Sequence, residues 1–489
     1  MKKVVIVGAG VAGLGAGIYA RISGLESVIV EKNSFVGGNL TGWERDGHAI
    51  DNCMHWLTGT HPKTELFKIW NQVGMLGERV TLCRPESFAD FEHNGQRISL
   101  YRDPNKTLTK MLSISPEDAR ESRRFIAAVK AFGRMQSDVS RAPACLPFYL
   151  RYRSMSLGDL ASRFKHNLLR RMITDLFSPE LSALSLLFAY GAFCIGNADL
   201  PYGGSKAAAE RMRDRYLQLG GELITDVEVE QILLRNKRAV GVRLSDETLI
   251  ACDAVICACD PFVTFGRLLP DRYMPKKLRR ARADVIGTPL FSAIHAAFSC
   301  DESSELPKHS TVIDCRTLDL DGRRISHLVV KPYTKSLLPQ PNGRAVLQVL
   351  IFLEDRESVR WIELSRNKEA YRAAKARFGR AIEQRVLSRY PSLKSSIKLL
   401  DVWTPASYVR YFGSSNGAFM GFAMKAGHAL RYRLTPRIHG LKNVRLATQW
   451  QAIPGGLPQA VLQARRAVKT LPAPGSIKII KITPVVSEA

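Results

Sequence analysis

The sequence predicts an α/β protein in which three separated segments form one domain around a parallel sheet, with a second α+β domain inserted between them. The first supporting observation is an apolar strand pattern at residues 4–7, which runs into a glycine-rich turn and a helix pattern. The second is that strand and helix patterns of this kind return at residues 202–261 and 441–471. A chain of 489 residues is long enough for about two or three domains.

The glycine-rich turn carries the motif G-x-G-x-x-G at Gly8, Gly10 and Gly13. In such a turn the first glycine makes the tight bend, the second lets the backbone approach a pyrophosphate, and the third lets helix and strand pack closely. The helix N-terminus then faces the phosphate charge. Glu31 ends the second strand pattern, 18 residues after Gly13, where a carboxylate can accept both ribose hydroxyls. The motif therefore predicts a Rossmann-type site for FAD or NAD, without a 2′-phosphate.

The residues that follow Glu31 distinguish FAD from NAD. They are Lys32, the glycine pair Gly37 and Gly38, Asn39, and a predicted short hairpin within residues 43–51. This layout resembles the large flavoprotein family of amine oxidases and carotenoid desaturases. Residues 225–261 resemble the second FAD segment of that family, and residues 443–471 resemble its C-terminal flavin segment. The resemblance implies a Rossmann-type, glutathione-reductase-like FAD-binding domain built from discontinuous segments.

Within that family the sequence is most similar to phytoene desaturases and retinol saturases. Residues 202–232 resemble their Gly-Gly helix and the strand after it, and residues 404–422 resemble the stretch before their last FAD segment. About half of the chain is covered by these similarities. Residues 62–200 and 262–400 match only loosely. The resemblance therefore says little about these two segments.

The resemblance and the glycine motif together imply a set of cofactor-binding residues. The set is Gly8, Gly10, Ala12, Gly13, Glu31, Lys32, Gly37, Gly38, Asn39, His55, Trp56, Val229, Ala258, Gly455, Gly456 and Leu457. Family position places backbone atoms of Val229 near the adenine, and His55 with Trp56 near the flavin. No catalytic residue is identified from the sequence.

The glycine pair Gly455–Gly456 precedes the last predicted helix. Its backbone N–H groups are expected to point at the N1 and C2 carbonyl edge of the flavin, where negative charge develops on reduction. A plain helix start with Pro458 is the alternative. The chain departs from the family at Gln459, which stands where further small residues are frequent. Trp450 either forms one wall of an aromatic pocket or belongs to the core.

The cysteines and histidines argue against other cofactor chemistry. The chain has no cysteine beyond Cys315, so a C-terminal thioether to the flavin is excluded and FAD is expected to be noncovalent. A second G-x-G-x-x-G after a strand is missing, which disfavours a dedicated NAD(P)H domain. His48, His55 and His61 lack the spacing of a zinc site. No metal site is therefore predicted.

The predicted domain boundaries follow from these segments. Residues 1–61, 202–261 and 441–471 form the FAD-binding domain, and residues 62–201 and 262–440 form the substrate or cap domain. The latter includes a basic helical region, 120–171, with 12 basic and 3 acidic residues. It also includes the 16 uncharged residues 181–196, which are fewer than the ~20 that span a bilayer. They predict a buried helix that lines an apolar cavity.

Charge and cysteine content suggest where the protein acts. The formal net charge of +26 attracts polyanions or an anionic membrane, although a generally basic proteome explains it equally well. Dispersed basic residues without a nucleic-acid motif make nucleic acid a disfavoured partner. The N-terminus does not read as a signal peptide, and nine cysteines form no paired framework. We therefore expect a cytoplasmic protein, and an anionic surface at the inner face of a membrane as a further partner.

The expected activity is that of an FAD-dependent oxidoreductase on carbon–carbon bonds of a hydrophobic, isoprenoid or polyene small molecule. Desaturation and saturation share this architecture, and the direction stays open, as do the electron partner and the oligomeric state. The alternatives are a flavin amine oxidase and a flavin-binding protein without turnover. The basic surplus argues mildly against the amine oxidase.

Overall fold

A computed structural model describes residues 3–320, 322–427 and 432–471. The strands, in chain order, are β1 (Lys3–Val7), β2 (Glu26–Val30), β3 (Gly42–Arg45), β4 (His48–Asp51), β5 (Leu57–Thr58), β6 (Leu82–Cys83), β7 (Ser87–His93), β8 (Gln96–Tyr101), β9 (Ala198–Pro201), β10 (Glu222–Ile224), β11 (Val229–Arg235), β12 (Arg238–Leu244), β13 (Leu249–Ala251), β14 (Ala254–Cys257), β15 (Ser292–Asp301), β16 (Thr311–Leu320), β17 (Arg323–Tyr333), β18 (Arg344–Leu353), β19 (Lys398–Trp403) and β20 (Val444–Leu446).

The helices, in chain order, are α1 (Val11–Ile22), α2 (Glu65–Gln72), α3 (Pro104–Ile114), α4 (Ala119–Ser137), α5 (Ala142–Tyr152), α6 (Leu157–Ala161), α7 (Asn167–Thr174), α8 (Ala183–Cys194), α9 (Gly204–Gln218), α10 (Pro261–Val263), α11 (Lys276–Ala283), α12 (Asp355–Leu364), α13 (Lys368–Arg389), α14 (Pro405–Phe412) and α15 (Leu457–Lys469). The tail after residue 472, to which the sequence assigns no motif, lies outside the described residues.

The first sheet has five parallel strands in the order β10-β2-β1-β14-β20. At its centre, Val5 of β1 lies opposite Val28 of β2 on one side and Val255 of β14 on the other. Strands covered on both faces read as continuous apolar runs, which is the pattern the sequence shows here. The sheet takes strands from all three predicted segments, so the expected α/β fold with a discontinuous Rossmann-type domain is confirmed. The residue boundaries between domains stay predictions.

Helices α1, α9 and α15 pack around this sheet, with α1 closest to β1. Its approach depends on Gly13, because a Cβ there would lie 1.8 Å from the Gly8 carbonyl oxygen. On its other side, α1 meets α15 where Gly15 faces Ala464. The third glycine of the motif therefore permits the close helix–strand contact that the sequence predicts for it.

Two antiparallel units lie beside the parallel sheet, and the first is the hairpin predicted within residues 43–51. Strands β3 and β4 pair antiparallel, and β11, β12 and β13 form an antiparallel three-stranded sheet that leads into the buried strand β14. Cys257 at the end of β14 is fully buried. Cys259 lies beyond the strand, where it packs against the same apolar core and its Sγ lies 3.3 Å from the hydroxyl of Thr264.

The second large sheet has seven strands in the order β19-β15-β18-β17-β16-β7-β8. Its pairs are antiparallel except for β16 with β7. Helix α13 covers one face through Phe378, Ile382 and Val386. The opposite face carries Trp403, whose ring meets that of Trp43 in β3, and it packs against Tyr408 of α14. Both the sheet and its helices fit the expected α+β substrate domain.

A helical layer formed by α3 to α8 completes the fold. The basic region 120–171 is helical, and α4 buries Phe125, Val129 and Phe132 as its amphipathic spacing predicts. Helix α8 forms within the uncharged stretch and packs on α4, where a Cβ at Gly133 would lie 2.7 Å from the Gly191 carbonyl oxygen. In the described part of the chain, no helix is long and apolar enough to cross a membrane.

Candidate functional site

A cavity of about 2070 Å³ runs from the C-terminal edge of the parallel sheet into the helical layer. Of the residues that the sequence predicts to bind a cofactor, those lining it are Gly8, Gly10, Ala12, Glu31, Lys32, Gly37, Gly38, Asn39, His55, Trp56, Val229, Ala258, Gly455, Gly456 and Leu457. Gly13 does not line it, because this residue packs α1 against the Gly8 carbonyl. Residues from all three sequence segments therefore meet at one place.

The glycine motif forms one end of the cavity. Gly8 has φ +97°, a conformation that favours glycine, and its N–H donates to the Val30 carbonyl at 2.8 Å. Gly10 caps α1 and forms a parallel bridge with Gly37. A Cβ at Gly38 would lie 3.3 Å from the Gly10 Cα, so the two glycine turns are in close contact. Their shared outer side, at the N-terminus of α1, faces the cavity.

Glu31 lies at the end of β2, beside this loop. Its Oε2 accepts from the Ala9 N–H at 2.7 Å, and its Oε1 accepts from the backbone N–H and the side-chain amide of Asn33 at 3.1 and 2.8 Å. A carboxylate has about four lone-pair sites, three of which these donors occupy. Burial raises the pKa of Glu31, against the lowering effect of these hydrogen bonds. The geometry leaves room for about one further donor rather than the two ribose hydroxyls expected.

Lys32 and Asn39 connect this end of the cavity to α14 and to the segment after it. The Lys32 Nζ donates to the Arg410 carbonyl at 3.2 Å, and the Asn39 amide donates to the Phe419 carbonyl at 2.6 Å. The Asn39 Oδ1 is buried and has no hydrogen-bond partner among the described residues. This acceptor is thus available to a group inside the cavity.

The last segment contributes a further part of the cavity wall. Gly456 has φ +94° and precedes α15, while a Cβ at Gly455 would lie 2.5 Å from the Met420 carbonyl oxygen. The Gly456 N–H donates to Gln449 Oε1 at 2.9 Å, so it does not point freely into the cavity as expected. Trp450 is buried, lines the cavity, and meets Phe262 edge-on. The two interpretations of this tryptophan, pocket wall and core, are therefore both realised.

Lys331 lines the middle of the cavity and was missed by the sequence analysis. Its side chain is buried, and its Nζ donates to the carbonyls of Met54 and His55 at 3.1 and 3.3 Å. Burial lowers the pKa of Lys331 to about 8, against the opposing effect of Asp51. A lone lysine in the apolar strand pattern of β17 was the available signal, but it lies in a stretch that the resemblance matched only loosely.

His55 lies beside Lys331 at the point where the polar half of the cavity ends. Burial, followed by the charge of Lys331 and the proximity of His295, lowers its pKa well below the ordinary value. The imidazole is therefore neutral at physiological pH. Its Nε2 is buried without a hydrogen-bond partner in the described ranges. His55 thus presents a buried polar atom without a hydrogen-bond partner in the cavity wall.

The remaining half of the cavity is apolar. Trp56 lies next to His55 at the start of this apolar half. The centroid of its ring is 5.0 Å from that of Phe88 and 6.3 Å from that of Phe177. Further walls come from α8 and its neighbours: Tyr149, Leu176, Leu181, Leu184, Phe188, Ala192 and Phe193. The prediction that residues 181–196 form a buried helix lining an apolar cavity is confirmed. This half can hold an elongated hydrophobic molecule.

The other histidines of the first segment do not belong to the cavity wall. His48 Nδ1 lies 2.8 Å from the Asp46 carbonyl oxygen in the β3–β4 hairpin, and the His61 N–H donates to Asn197 Oδ1 at 3.2 Å. Within residues 3–320, 322–427 and 432–471, no group of three or more histidine, cysteine or acidic residues is arranged to hold a metal.

Comparisons with known proteins agree with the geometry. The chain is 22% identical over 451 residues to the chloroplastic prolycopene isomerase of Daucus carota, covering 85% of this chain and 71% of the relative. It is 26% identical over 294 residues to the neurosporene-forming phytoene desaturase of Rhodobacter capsulatus, covering 56% and 55%. The crystal structure of an oxidoreductase from Methanosarcina mazei has a similar fold, with a TM-score of 0.60, 17% identity, and coverage of 94% and 98%.

The family model that matches describes flavin-containing amine oxidoreductases and spans residues 11–471. This range includes the greater part of the first segment and all of the second and third, together with the helical layer and the seven-stranded sheet. The expected resemblance to flavoproteins of the amine oxidase and carotenoid desaturase type is confirmed by it and by the relatives. The chain belongs to the flavin-containing amine oxidoreductase family and is an FAD-dependent oxidoreductase.

Proposed function

We propose that the chain binds FAD noncovalently in the polar half of the cavity and acts on a carbon–carbon bond of a hydrophobic isoprenoid or polyene in the apolar half. One observation carries the proposal. A single cavity joins the glycine loop around Gly10 to the aromatic and aliphatic wall around Trp56 and Phe188. Relatives named for prolycopene and phytoene support the same substrate class.

The residues that line the polar half support a position for each part of FAD. The backbone at Gly10 and the N-terminus of α1 would hold the pyrophosphate, because unpaired N–H groups at a helix start favour negative charge. Glu31 would accept a ribose hydroxyl, and the backbone at Val229 would meet the adenine. Gly455 and the start of α15 would face the pyrimidine edge of the flavin. The bound flavin supplies two-electron chemistry, which the side chains of the cavity do not provide themselves.

The chain's own residues orient the substrate and exclude water. Phe88, Phe177 and Phe188 offer apolar walls without charge, so they hold a polyene by surface burial rather than by ion pairs. Lys331 and neutral His55 are the polar side chains at the junction of the two halves. We assign to them the orientation of the reacting region of the substrate next to the flavin.

We also propose that the protein lies on the cytoplasmic side and attaches peripherally to an anionic leaflet. The support is the formal charge of +26 and the exposed basic residues of α4, including Arg120, Arg123 and Arg134. Each basic residue near such a surface contributes ~1 kcal/mol, and about 1 M salt shortens the screening length to ~3 Å. Co-sedimentation with anionic vesicles that high salt reverses is the expected result. Equal recovery in the supernatant with anionic and neutral vesicles would contradict the attachment.

The substrate class is tested by anaerobic spectroscopy of the flavin. Mixing the oxidised holoprotein with a polyene in detergent should bleach the flavin, or the reduced holoprotein should be reoxidised by an unsaturated substrate. Both directions are measured because desaturation and saturation use the same arrangement. Bleaching by a primary amine instead would support the amine oxidase alternative. An unchanged spectrum with all of these compounds would support a flavin-binding protein without turnover.

A variant of the apolar half sharpens this test. In Phe188→Asp a charge lies in the wall of the apolar chamber, where burying an unpaired carboxylate is costly. The variant should retain FAD but lose bleaching by the polyene. Its control is Leu217→Asp, at an exposed position at the end of α9, which should retain both. Equal polyene turnover in Phe188→Asp and the control would remove the apolar half from the substrate site.

A further inference from the structure

Helix α5 carries apolar side chains on both its inner and its outer face. Inward, Cys145 and Tyr152 are buried against the helical layer. Outward, Leu146 and Leu150 are 53% and 51% exposed, and Val139, just before the helix, is 79% exposed. A helix that is apolar all round is ordinarily buried on all sides. In this chain one apolar side of α5 faces solvent.

The exposed apolar residues form one stripe along the helix. Pro143, Leu146, Pro147 and Leu150 are all exposed, and they follow the spacing i, i+3, i+4, i+7 of a single helix face. Contiguous apolar surface of this kind marks a contact with another apolar phase rather than with water. We call these four residues the α5 stripe.

The cavity reaches the surface beside the α5 stripe. Arg153 and Ser154 line the cavity and are also exposed, so they form a mouth. Tyr149 lines the cavity from α5 itself, three residues after Leu146, and Arg153 follows Leu150 at the same spacing. Residues three apart are neighbours on a helix surface. The open apolar face and the mouth of the apolar chamber are therefore adjacent.

The charges around the stripe favour an anionic surface. Between residues 134 and 153 the sequence has four arginines and a single acidic residue, Asp138. Of the arginines, Arg134 and Arg153 are exposed, Arg141 is exposed and pairs with Asp138, and Arg151 pairs with Glu121. An apolar stripe flanked by arginines is the composition of helices that lie in the interface of an anionic bilayer.

We propose that the α5 stripe inserts into the interface of an anionic bilayer and that the cavity exchanges its substrate with the lipid at the mouth beside it. The exchange part rests on the proposed function, because it requires a substrate that dissolves in the bilayer. The insertion part rests only on the exposure, spacing and charge of α5. Nucleic acid lacks an apolar phase, so it does not explain the stripe.

Vesicle binding tests the insertion. The probe is vesicles of phosphatidylcholine with phosphatidylglycerol, and the variant is the double substitution Leu146→Glu and Leu150→Glu. Loss of two leucines that would be buried in the bilayer, together with the added negative charge, should weaken vesicle binding by ~100-fold or more. The control is Leu249→Glu at an exposed position of β13, 64% accessible, which should bind like the wild type. Unchanged binding of the double variant, or an equal loss in the control, would overturn the proposal.

Flavin content and turnover separate this proposal from the function proposed above. The double variant should retain the flavin and convert a polyene in detergent micelles at the wild-type rate, but lose conversion of the same polyene in vesicles. Equal conversion from vesicles by both proteins would overturn the exchange of substrate at this mouth. A wild-type protein without turnover in micelles would instead contradict the proposed function, while the vesicle-binding result would still decide the insertion.

Discussion

Glu31 accepts a 2.7 Å hydrogen bond from the backbone N–H of Ala9, the residue between the first two glycines of the nucleotide loop. The bond joins the C-terminal ends of β1 and β2, which are adjacent parallel strands. The acidic residue that the sequence assigns to the ribose therefore also fixes the shape of the loop that would hold the pyrophosphate. A substitution at this position acts on both parts of the nucleotide site.

Glu31→Ala should weaken FAD binding by about 1–3 kcal/mol, the range for hydrogen bonds to a charged group. The loss has two sources, since the Ala9 N–H and a ribose hydroxyl both lose their acceptor. The dissociation constant is measured by quenching of FAD fluorescence on the apoprotein. Glu26→Ala, at an exposed position at the start of the same strand, is the matched control. A dissociation constant for Glu31→Ala equal to that of the control would remove Glu31 from the site.

Gly10→Leu should abolish FAD binding while the chain still folds. A Cβ at Gly10 would lie no closer than 3.8 Å to another residue, so the new side chain fits the backbone and extends into the proposed pyrophosphate position. Flavin content of the purified protein and circular dichroism report the two effects. Gly77→Leu, which has open space around it on an exposed turn, serves as control. Full flavin occupancy in Gly10→Leu would disprove the assignment of the loop.

Gly13→Ala should destabilise the fold, whereas Gly10→Leu should leave its stability nearly unchanged. Its Cβ would lie 1.8 Å from the Gly8 carbonyl oxygen, which is backbone and cannot turn away. Helix and strand must separate, and such overpacking costs about 1–3 kcal/mol or more. Urea denaturation of the apoprotein should therefore show a lower free energy of unfolding for Gly13→Ala and a nearly unchanged value for Gly10→Leu. Equal stability of the two variants would contradict the packing role of Gly13.

The purified protein should be yellow, and acid or heat should release all of its FAD into the supernatant. The basis is that no cysteine follows Cys315, so the segment around Gly455 has no thiol to attach to the flavin. Mass spectrometry of the denatured chain should give the mass of the unmodified polypeptide. A chain that keeps the mass of FAD after denaturation, or a release of NAD, would contradict this prediction.

The sequence predicted the nucleotide end of the cavity because its chemistry is local. The turn at Gly8, the helix start at Gly10 and the strand end at Glu31 are set by neighbours a few residues away, and periodicity finds them. The burial of residues 181–196 was equally predictable, since a run of 16 uncharged, mostly apolar and small residues is unfavourable in water. These features depend little on contacts with distant parts of the chain.

The middle of the cavity was not predictable in this way. Lys331 meets the carbonyl of His55 although 276 residues separate them in the chain. Only the packing of the seven-stranded sheet against the first segment brings them together, and no local pattern records that contact. The hydrogen bond from Gly456 to Gln449 is similar, because it depends on the conformation of the turn between them. The sequence therefore predicted the residues at both ends and His55 at the junction, but not Lys331.

The buried position of Lys331 predicts a distinct dependence of stability on pH. Its pKa falls from 10.5 in an exposed chain to about 8 in the fold. Between these values the unfolded chain binds the proton and the folded chain does not, so the free energy of unfolding rises with pH. Below pH 8 both states are protonated, and the buried charge opposes folding to its full extent.

Lys331→Met removes the pH-dependent contribution of the lysine to the free energy of unfolding. It also removes the hydrogen bonds to Met54 and His55, and the free energy lost with these bonds does not vary with pH in the same way. The stability difference, wild type minus Lys331→Met, should therefore rise by about 3 kcal/mol from pH 7.5 to 10.5. It is measured on the apoproteins by urea denaturation at several pH values, so that titration of all other groups cancels in the difference. A flat or falling difference would show that the Lys331 ammonium is solvated as well in the fold as in the unfolded chain.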